Sequence, residues 1–515
     1  MHSVAWILFF GWLSTGSNAW LLPRPKAATR RTKICSTSSL PSSTTKEQPV
    51  LNDLDLVRDL TEKAILHKAE SEGLQALEHL RLLCARRRPF DFERTATTSE
   101  IGSVLQKIPS LLSVETSRKV LDQVQVLVDE GYLSTNEDSV DGLPSFHWNL
   151  VSGGVPLNDD DGLLEVLRPS LYEDLLPRVR QVMQSETIQV DEVFVRRYGQ
   201  DMMEGKSRLS LSAHFDIYSI VTAVIALDDV AVDGENGLYT VTNAEQCSNH
   251  ASLRRFFPLA CGDSVVHSWD VMHGVDVEPG LDRTSLIVWF IDTKEHDTNT
   301  DVSPWLTTRD DFDTNSVAQF VLASAIQSVN WTPDGVDAKQ PTQIAESTTY
   351  TQDDAIEYYC RSAALGNTFA TSCLGGLCAD GRLSTRHLDL IEAILNQSQT
   401  KANLPACVVD GTDRTTILAK RLWYASALMG NARAQISLAD ELMTEASDRD
   451  DREAMQVAAV FFALAAQQGE SGGMEALDRL VGYVVQNWGI ASEDDFAQCP
   501  IVQISQAACL YTTQA

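Results

Sequence analysis

The sequence predicts an α+β, multidomain protein, with a β sandwich or jelly roll between two helical regions. Three observations support this. Length comes first: 515 residues exceed one ordinary domain, so two or three are expected. A block over about 187–295 then alternates or runs apolar in short β-branched stretches between Gly- and Pro-bearing turns. Finally, the regions on either side carry apolar residues at three- and four-residue spacing.

Taken in order, residues 1–46 have the composition of a presequence. Val4–Leu13 is a short apolar run, and Ser17-Asn18-Ala19 is a small-x-small cleavage-type site. The run is too short to span a bilayer comfortably. Arg24, Lys26, Arg30, Arg31, Lys33 and Lys46 precede the first acidic residue, Glu47, in a stretch rich in Ser and Thr. The combination resembles the bipartite presequences of algae with secondary plastids, with Trp20 following the cleavage point. Plastid delivery is the expectation; the alternative is the endoplasmic reticulum and secretion. No later stretch is apolar and long enough for a span, so no membrane contact is expected of the mature form.

Net charge is −30, and without the first 46 residues 35 positive charges face 71 negative ones. Phosphate backbones are repelled by such a body, so nucleic acid is excluded as a partner class and basic peptides or proteins are favoured. The ten cysteines include no CxxC pair, which argues against a disulfide framework or a zinc ribbon.

Residues 51–150 read as a helical lead-in, with "LNDLDLVRDLTEKAILHKAE" and "SVETSRKVLDQVQVLVDEGYL" in helical period. The β block then contains "TIQVDEVFVRRY", "IYSIVTAVIALDDV", "SVVHSWDVMHGVDV" and "RTSLIVWFID". Within it, His214 and Asp216 form a His-x-Asp. On a strand that spacing places both side chains on one face. His273 lies 57 residues beyond Asp216, and Arg283 ten beyond His273. Two histidines and one carboxylate on one face of a metal leave three positions open, the facial triad of non-haem Fe(II) oxygenases. A dicarboxylate held at one end by a metal needs a cation at the other, and Arg supplies a planar two-pronged donor.

The stretches "VFVRRYGQD", "AHFD" and "MHGVDVEPGLDRTSL" resemble the Fe(II)/2-oxoglutarate dioxygenases, most closely the prolyl 4-hydroxylase type. The resemblance covers about residues 185–293, within a dioxygenase domain expected over 151–295. It implies a double-stranded β-helix, with His214, Asp216 and His273 as metal ligands and Arg283 and Tyr198 on the 2-oxoglutarate. It implies Fe(II) and 2-oxoglutarate, leaves room for ascorbate, and points to hydroxylation of a protein or peptide. The sequence departs from the pattern in three places. "ENGLYT" stands where a Gly-Gly-x-Thr is common, Arg283 stands where Lys is frequent, and His267 occupies a usually apolar position. His267 is expected to be a hydrogen-bonded core histidine, with a substrate-side polar group as the alternative, and His250 a surface one. The alternative function is an inactive oxygenase fold serving as an adaptor, which an intact ligand set disfavours.

Residues 296–345 read as a linker, 346–490 as helical repeats and 491–515 as a tail. Aligned on Gly366, Gly430 and Gly469, three segments share Ala355, Ala419 and Ala458 eleven residues before, and Tyr359, Trp423 and Phe462 seven before. They also share Ala363, Ala427 and Ala466 three before, and Leu374, Leu438 and Leu477 eight after. Steps of four put Ala, aromatic and Ala on one helix face, and Gly ends the helix. The pattern resembles the Sel-type relatives of tetratricopeptide repeats. A loop-rich insertion is expected over about 382–417.

Overall fold

A computed structural model describes residues 88–89, 104–130, 145–157, 162–203, 206–232, 236–241, 254–278, 280–293, 304–307, 309–330, 350–397, 404–411, 413–467, 470, 472–490 and 492–505. The presequence, most of the helical lead-in, His250 and Gly469 lie outside these residues.

Thirteen strands are described: β1 (Arg88–Pro89), β2 (Leu105–Ile108), β3 (Phe146–Ser152), β4 (Val155–Pro156), β5 (Ile188–Met203), β6 (Lys206–Arg208), β7 (Ser210–His214), β8 (Val221–Ala226), β9 (Gly237–Val241), β10 (Arg254–Phe256), β11 (Ser264–Ser268), β12 (His273–Asp276) and β13 (Arg283–Asp292). They form two sheets. The larger runs β2-β11-β8-β13-β5-β3-β4, with β6 on β5, and the smaller runs β1-β10-β9-β12-β7. From β7 to β13 the chain passes between the sheets repeatedly, and every strand pair except β1–β10 is antiparallel. This is a jelly roll, as the turn-punctuated short strands predicted.

Strand β8 shows why the sheet lies in the interior. All six of its residues are buried. Val221, Ala223 and Ile225 join the main core, while Val224 and Ala226 meet Leu238, Phe257 and Val265 in a second cluster. A strand apolar on both faces can be covered on both, which explains why "VTAVIA" does not alternate.

Several boundaries differ from the sequence reading. The described residues between 104 and 150 are not purely helical. Helix α1 (Val114–Asp129) is present, but β2 pairs with β11 and β3 pairs with β5, so this region extends the large sheet. "LQKI" is too short to show a period of its own and becomes a strand because β11 offers an edge. Helices α2 (Leu163–Arg168) and α3 (Leu176–Met183) lead into β5.

The expected linker over 296–345 contains helix α4 (Ser316–Asn330). Its "VAQFVLASAI" is buried nearly all round, a pattern without amphipathic contrast because neighbours cover every face. The insertion over 382–417 likewise carries helix α7 (Thr385–Gln397). Among the tail residues, Ile501 and Val502 are buried.

The described C-terminal helices form successive contacting pairs. They are α5 (Gln352–Ala364) with α6 (Thr368–Ala379), α8 (Arg414–Leu428) with α9 (Ala432–Arg449), and α10 (Arg452–Gln467) with α11 (Gly473–Asn487). Gly366 and Gly430 have φ of 95° and 87°, a left-handed conformation that side chains resist. The next residues, Asn367 and Asn431, cap the following helices through their side chains. Tyr359, Trp423, Phe462 and the aligned alanines and leucines are all buried. At the crossing of α6 and α8, a Cβ on Gly375 would stand 2.5 Å from Trp423 Nε1, so a small residue there lets the helices meet.

These helices share one continuous apolar core with the jelly roll. Phe215, between His214 and Asp216, packs edge-on against Phe320 of α4 and Phe369 of α6, with both ring centroids 6.1 Å away. No described helix is long and apolar enough to cross a membrane.

Candidate metal centre

His214 is the last residue of β7 and His273 the first of β12, and the two face each other directly across the sheet. Their rings lie 4.4 Å apart. Each ring is turned the same way by its own strand: Nδ1 of His214 donates to the Ser212 carbonyl at 2.9 Å, and Nδ1 of His273 to the Val271 carbonyl at 3.1 Å. In both cases the acceptor lies two residues back, and Nε2 is left for a ligand. Asp216 is not on the strand, which ends at His214. Asp216 thus lies two residues beyond the end of β7, off the strand on which the same-face placement was expected, with Oδ1 3.8 Å from His214 Nε2 and Oδ2 3.7 Å from His273 Nε2.

Among the described residues these three form a group able to hold a metal, their ligating atoms all within 4.8 Å of one another. Ligands about 2 Å from a common ion stand at such spacings. Thr222 Oγ1 donates to Asp216 Oδ2 at 2.5 Å. Burial by itself would raise the Asp216 carboxyl. The positive character of His273, then of His267 and His214, together with the Thr222 hydrogen bond, outweighs burial and holds the carboxyl below its ordinary range. An ionised carboxylate flanked by imidazole nitrogens is the donor set of the facial triad.

Arg283 opens β13 opposite Tyr198 of β5. Its side chain is 0% exposed, and Nε, Nη1 and Nη2 have no hydrogen-bond partner among the described residues. Burial pulls its pKa below the ordinary arginine value, with the Asp228 and Tyr198 charges acting the other way. The neighbouring Asp282 pairs instead with Arg197, at 2.9 Å. Asp228 accepts a hydrogen bond from the Thr284 amide and forms no ion pair with Arg283. An unpaired buried guanidinium is costly, and an anion supplied from outside removes that cost. Tyr198 is buried with Leu211, Val275 and Val277.

Two further residues belong to the site, one that escaped the sequence reading and one that was singled out there as a core histidine. The first is Gly237, at φ 92°: a Cβ there would lie 1.9 Å from Arg283 Nη1. Its bare backbone makes the space for the guanidinium. The available signal was its place in "DGENG", which reads equally as an ordinary turn. The second is His267 of β11. It is fully buried, as expected of a core histidine, but only one nitrogen is satisfied: Nδ1 donates to the Ser268 carbonyl at 3.2 Å, while Nε2 is unpartnered. Its ring lies 4.1 Å from that of His273, and its Nε2 is 3.9 Å from Asp216 Oδ2. Burial, then the neighbouring His273, pushes this imidazole down to about 3, so near neutral pH the ring is uncharged. Its help to the Asp216 carboxylate therefore counts only in strong acid.

No protein-family model matches the sequence, and no curated protein matches it. Among solved structures the chain is similar to SnoN, a non-haem α-ketoglutarate-dependent epimerase from nogalamycin biosynthesis, with 17% identity over 42% of this chain and 83% of that one and a TM-score of 0.26. It is similar to a Pseudomonas putida prolyl-4-hydroxylase, with 16% identity over 41% and 98% and a TM-score of 0.28. It is also similar to a Trichoplax adhaerens prolyl hydroxylase, solved in complex with a peptide fragment of the hypoxia inducible factor oxygen degradation domain. That match has 17% identity over 43% and 93% and a TM-score of 0.29.

Proposed function

We propose that this chain is an Fe(II)- and 2-oxoglutarate-dependent oxygenase that hydroxylates a peptidyl residue. The observation that carries the reading is the pairing of a converged His214–Asp216–His273 set with a fully buried, unpartnered Arg283 in the same small fold. A metal site alone would suit many chemistries. A metal site with an orphaned two-pronged cation suits a dicarboxylate.

His214, Asp216 and His273 would hold the iron. Arg283 would bind the far carboxylate of 2-oxoglutarate, with Tyr198, its cross-strand neighbour, beside it. When bound, iron supplies activation of O₂, so that one oxygen atom enters a substrate C–H bond while the other leaves in succinate, with release of CO₂. The chain's own part is positional. The Ser212 and Val271 carbonyls hold both imidazoles in the tautomer with Nε2 free. Thr222 fixes the carboxylate, and the apolar walls of the jelly roll keep water from the reacting groups.

A protein or peptide acceptor is supported by the acidic charge and by the helical pairs adjoining the metal-bearing strand. We read those pairs as Sel-type repeats, and plastid delivery as the role of the first 46 residues. The test is succinate release from 2-oxoglutarate by the purified full chain with Fe(II), with and without basic, proline-bearing peptides. Basal release that is lost in His273→Ala and rises with peptide supports the proposal. Iron-independent release, or none, overturns it. An inactive adaptor would give none while still binding the peptide.

A further inference from the structure

The metal centre contains an imidazole that the three ligands leave unused. His267 projects from β11 into the space flanked by Asp216 and His273. It is opposite Thr222 on β8, the residue that hydrogen-bonds Asp216. Thus two side chains at one register position, one from each of two paired strands, reach the same carboxylate oxygen, Oδ2.

Their contacts differ. The Thr222 hydroxyl donates to Oδ2 directly. His267 cannot do so, because its ring hydrogen is on Nδ1, committed to the Ser268 carbonyl. Nε2 therefore presents a lone pair. At 3.9 Å it faces another acceptor, Oδ2, with no hydrogen between them. That separation is too long for a direct hydrogen bond in either tautomer. Two buried acceptors held face to face at this distance can share a donor with two hydrogens, and the separation suits a single water, whose O–H bonds of ordinary length and angle span acceptors about 4 Å apart. An alternative, direct ligation by His267, is disfavoured because its nitrogen is not among the atoms that converge within 4.8 Å.

We propose that His267 and Asp216 jointly hold one ordered water, and that His267 is a positioning residue which through that water fixes how Asp216 presents itself to the metal. The inference rests on the reading of His214, Asp216 and His273 as metal ligands. Oδ2 then carries two hydrogen bonds, from Thr222 and from the water, so it is less available to a cation and the carboxylate ligates through one oxygen. This leaves positions on the ion free for the dicarboxylate. An apolar side chain in place of His267 would free Oδ2 to close on the metal as a second arm.

The test uses Co(II) alone as the probe, with the full-length chain. Wild-type protein should bind one Co(II), and His273→Ala should not; failure of that pair overturns the metal reading and this inference with it. Given a wild-type site, His267→Phe should weaken Co(II) binding by roughly 10- to 100-fold, as loss of an outer partner does, and should alter the visible Co(II) spectrum. His267→Gln, which restores an acceptor, should recover most of both. The metal-free melting temperature of His267→Phe should fall below that of wild type, since the Nδ1 hydrogen bond to Ser268 and the water contact at Nε2 are both lost. Co(II) affinity and spectrum unchanged in His267→Phe would show that His267 only fills space and would overturn the proposal. A high-resolution crystal structure of the wild-type protein gives a readout independent of any variant's folding. A water within hydrogen-bond distance of both Nε2 and Oδ2 supports the inference, and an empty gap overturns it.

Discussion

Replacing Arg283 by Met should make the free protein no less stable while nearly abolishing 2-oxoglutarate binding. Both halves follow from the burial. The guanidinium is fully enclosed and all three nitrogens lack partners. Removing one member of a buried ion pair costs about 3–5 kcal/mol because the other charge is stranded, whereas removing a charge that is already stranded strands nothing. Methionine is unbranched and adaptable enough to fill the space. With cosubstrate bound, Arg283 becomes half of a desolvated charge pair, and truncating one partner of such a pair costs about 2–5 kcal/mol. At about 1.4 kcal/mol per tenfold, the dissociation constant should rise by roughly 30- to 4,000-fold. The assay is anaerobic 2-oxoglutarate titration of the metal-loaded protein, read by calorimetry and by melting temperature. At a concentration 100 times the wild-type constant, wild type gains about 2.7 kcal/mol, and a variant weakened 100-fold gains only about 0.4 kcal/mol. Arg283→Lys keeps the charge without the two-pronged geometry and should fall between them. Co(II) affinity should be little changed in both variants. Wild-type 2-oxoglutarate affinity in Arg283→Met would refute the reasoning. So would a large loss of metal-free stability, which would mean that the guanidinium had a protein partner.

Gly237→Ala should cost roughly 1–3 kcal/mol for the φ of 92° and should impair 2-oxoglutarate binding more than metal binding, because its Cβ falls on Arg283 Nη1; separate titrations check the order. Phe215→Ala should destabilise by about 3–5 kcal/mol in denaturant unfolding, and should lower Co(II) affinity too, since Phe215 is anchored between two ligands by Phe320 and Phe369. Truncation near residue 345 should give insoluble protein for the same reason; a soluble fragment that binds Co(II) would show that the helical pairs are dispensable. Glu192 is held up to about 7 by burial, above its usual 4.5, so the folded state binds the proton more tightly than the unfolded one. The Glu192 contribution to stability should therefore be most favourable below about pH 4.5, decline as pH rises towards 7 and level off beyond, and the difference between wild type and Glu192→Gln in melting curves should follow that profile.

The sequence by itself determined which side chains to look for. Donor types and their spacing along the chain are local facts, and "AHFD", "MHGV" and the Arg ten residues on were enough to name the three residues that converge and the buried arginine. The helix-Gly-Asn-helix punctuation of the C-terminal pairs was legible in part for the same reason, since caps act over a few residues. Tertiary structure decided what no local pattern holds. Asp216 lies two residues beyond the end of β7, and only the fold brings its carboxylate between the two imidazoles. Arg283 depends on a backbone void at Gly237, 46 residues away in sequence. Helix α4 looked like linker because a helix covered on all faces has no amphipathic stripe. His267 read as an ordinary core histidine, and its burial agrees. Only the packing of β11 beside β8 turns its second nitrogen towards Asp216, because a side chain's partners across a sheet are set by strand order, which is a long-range property of the chain.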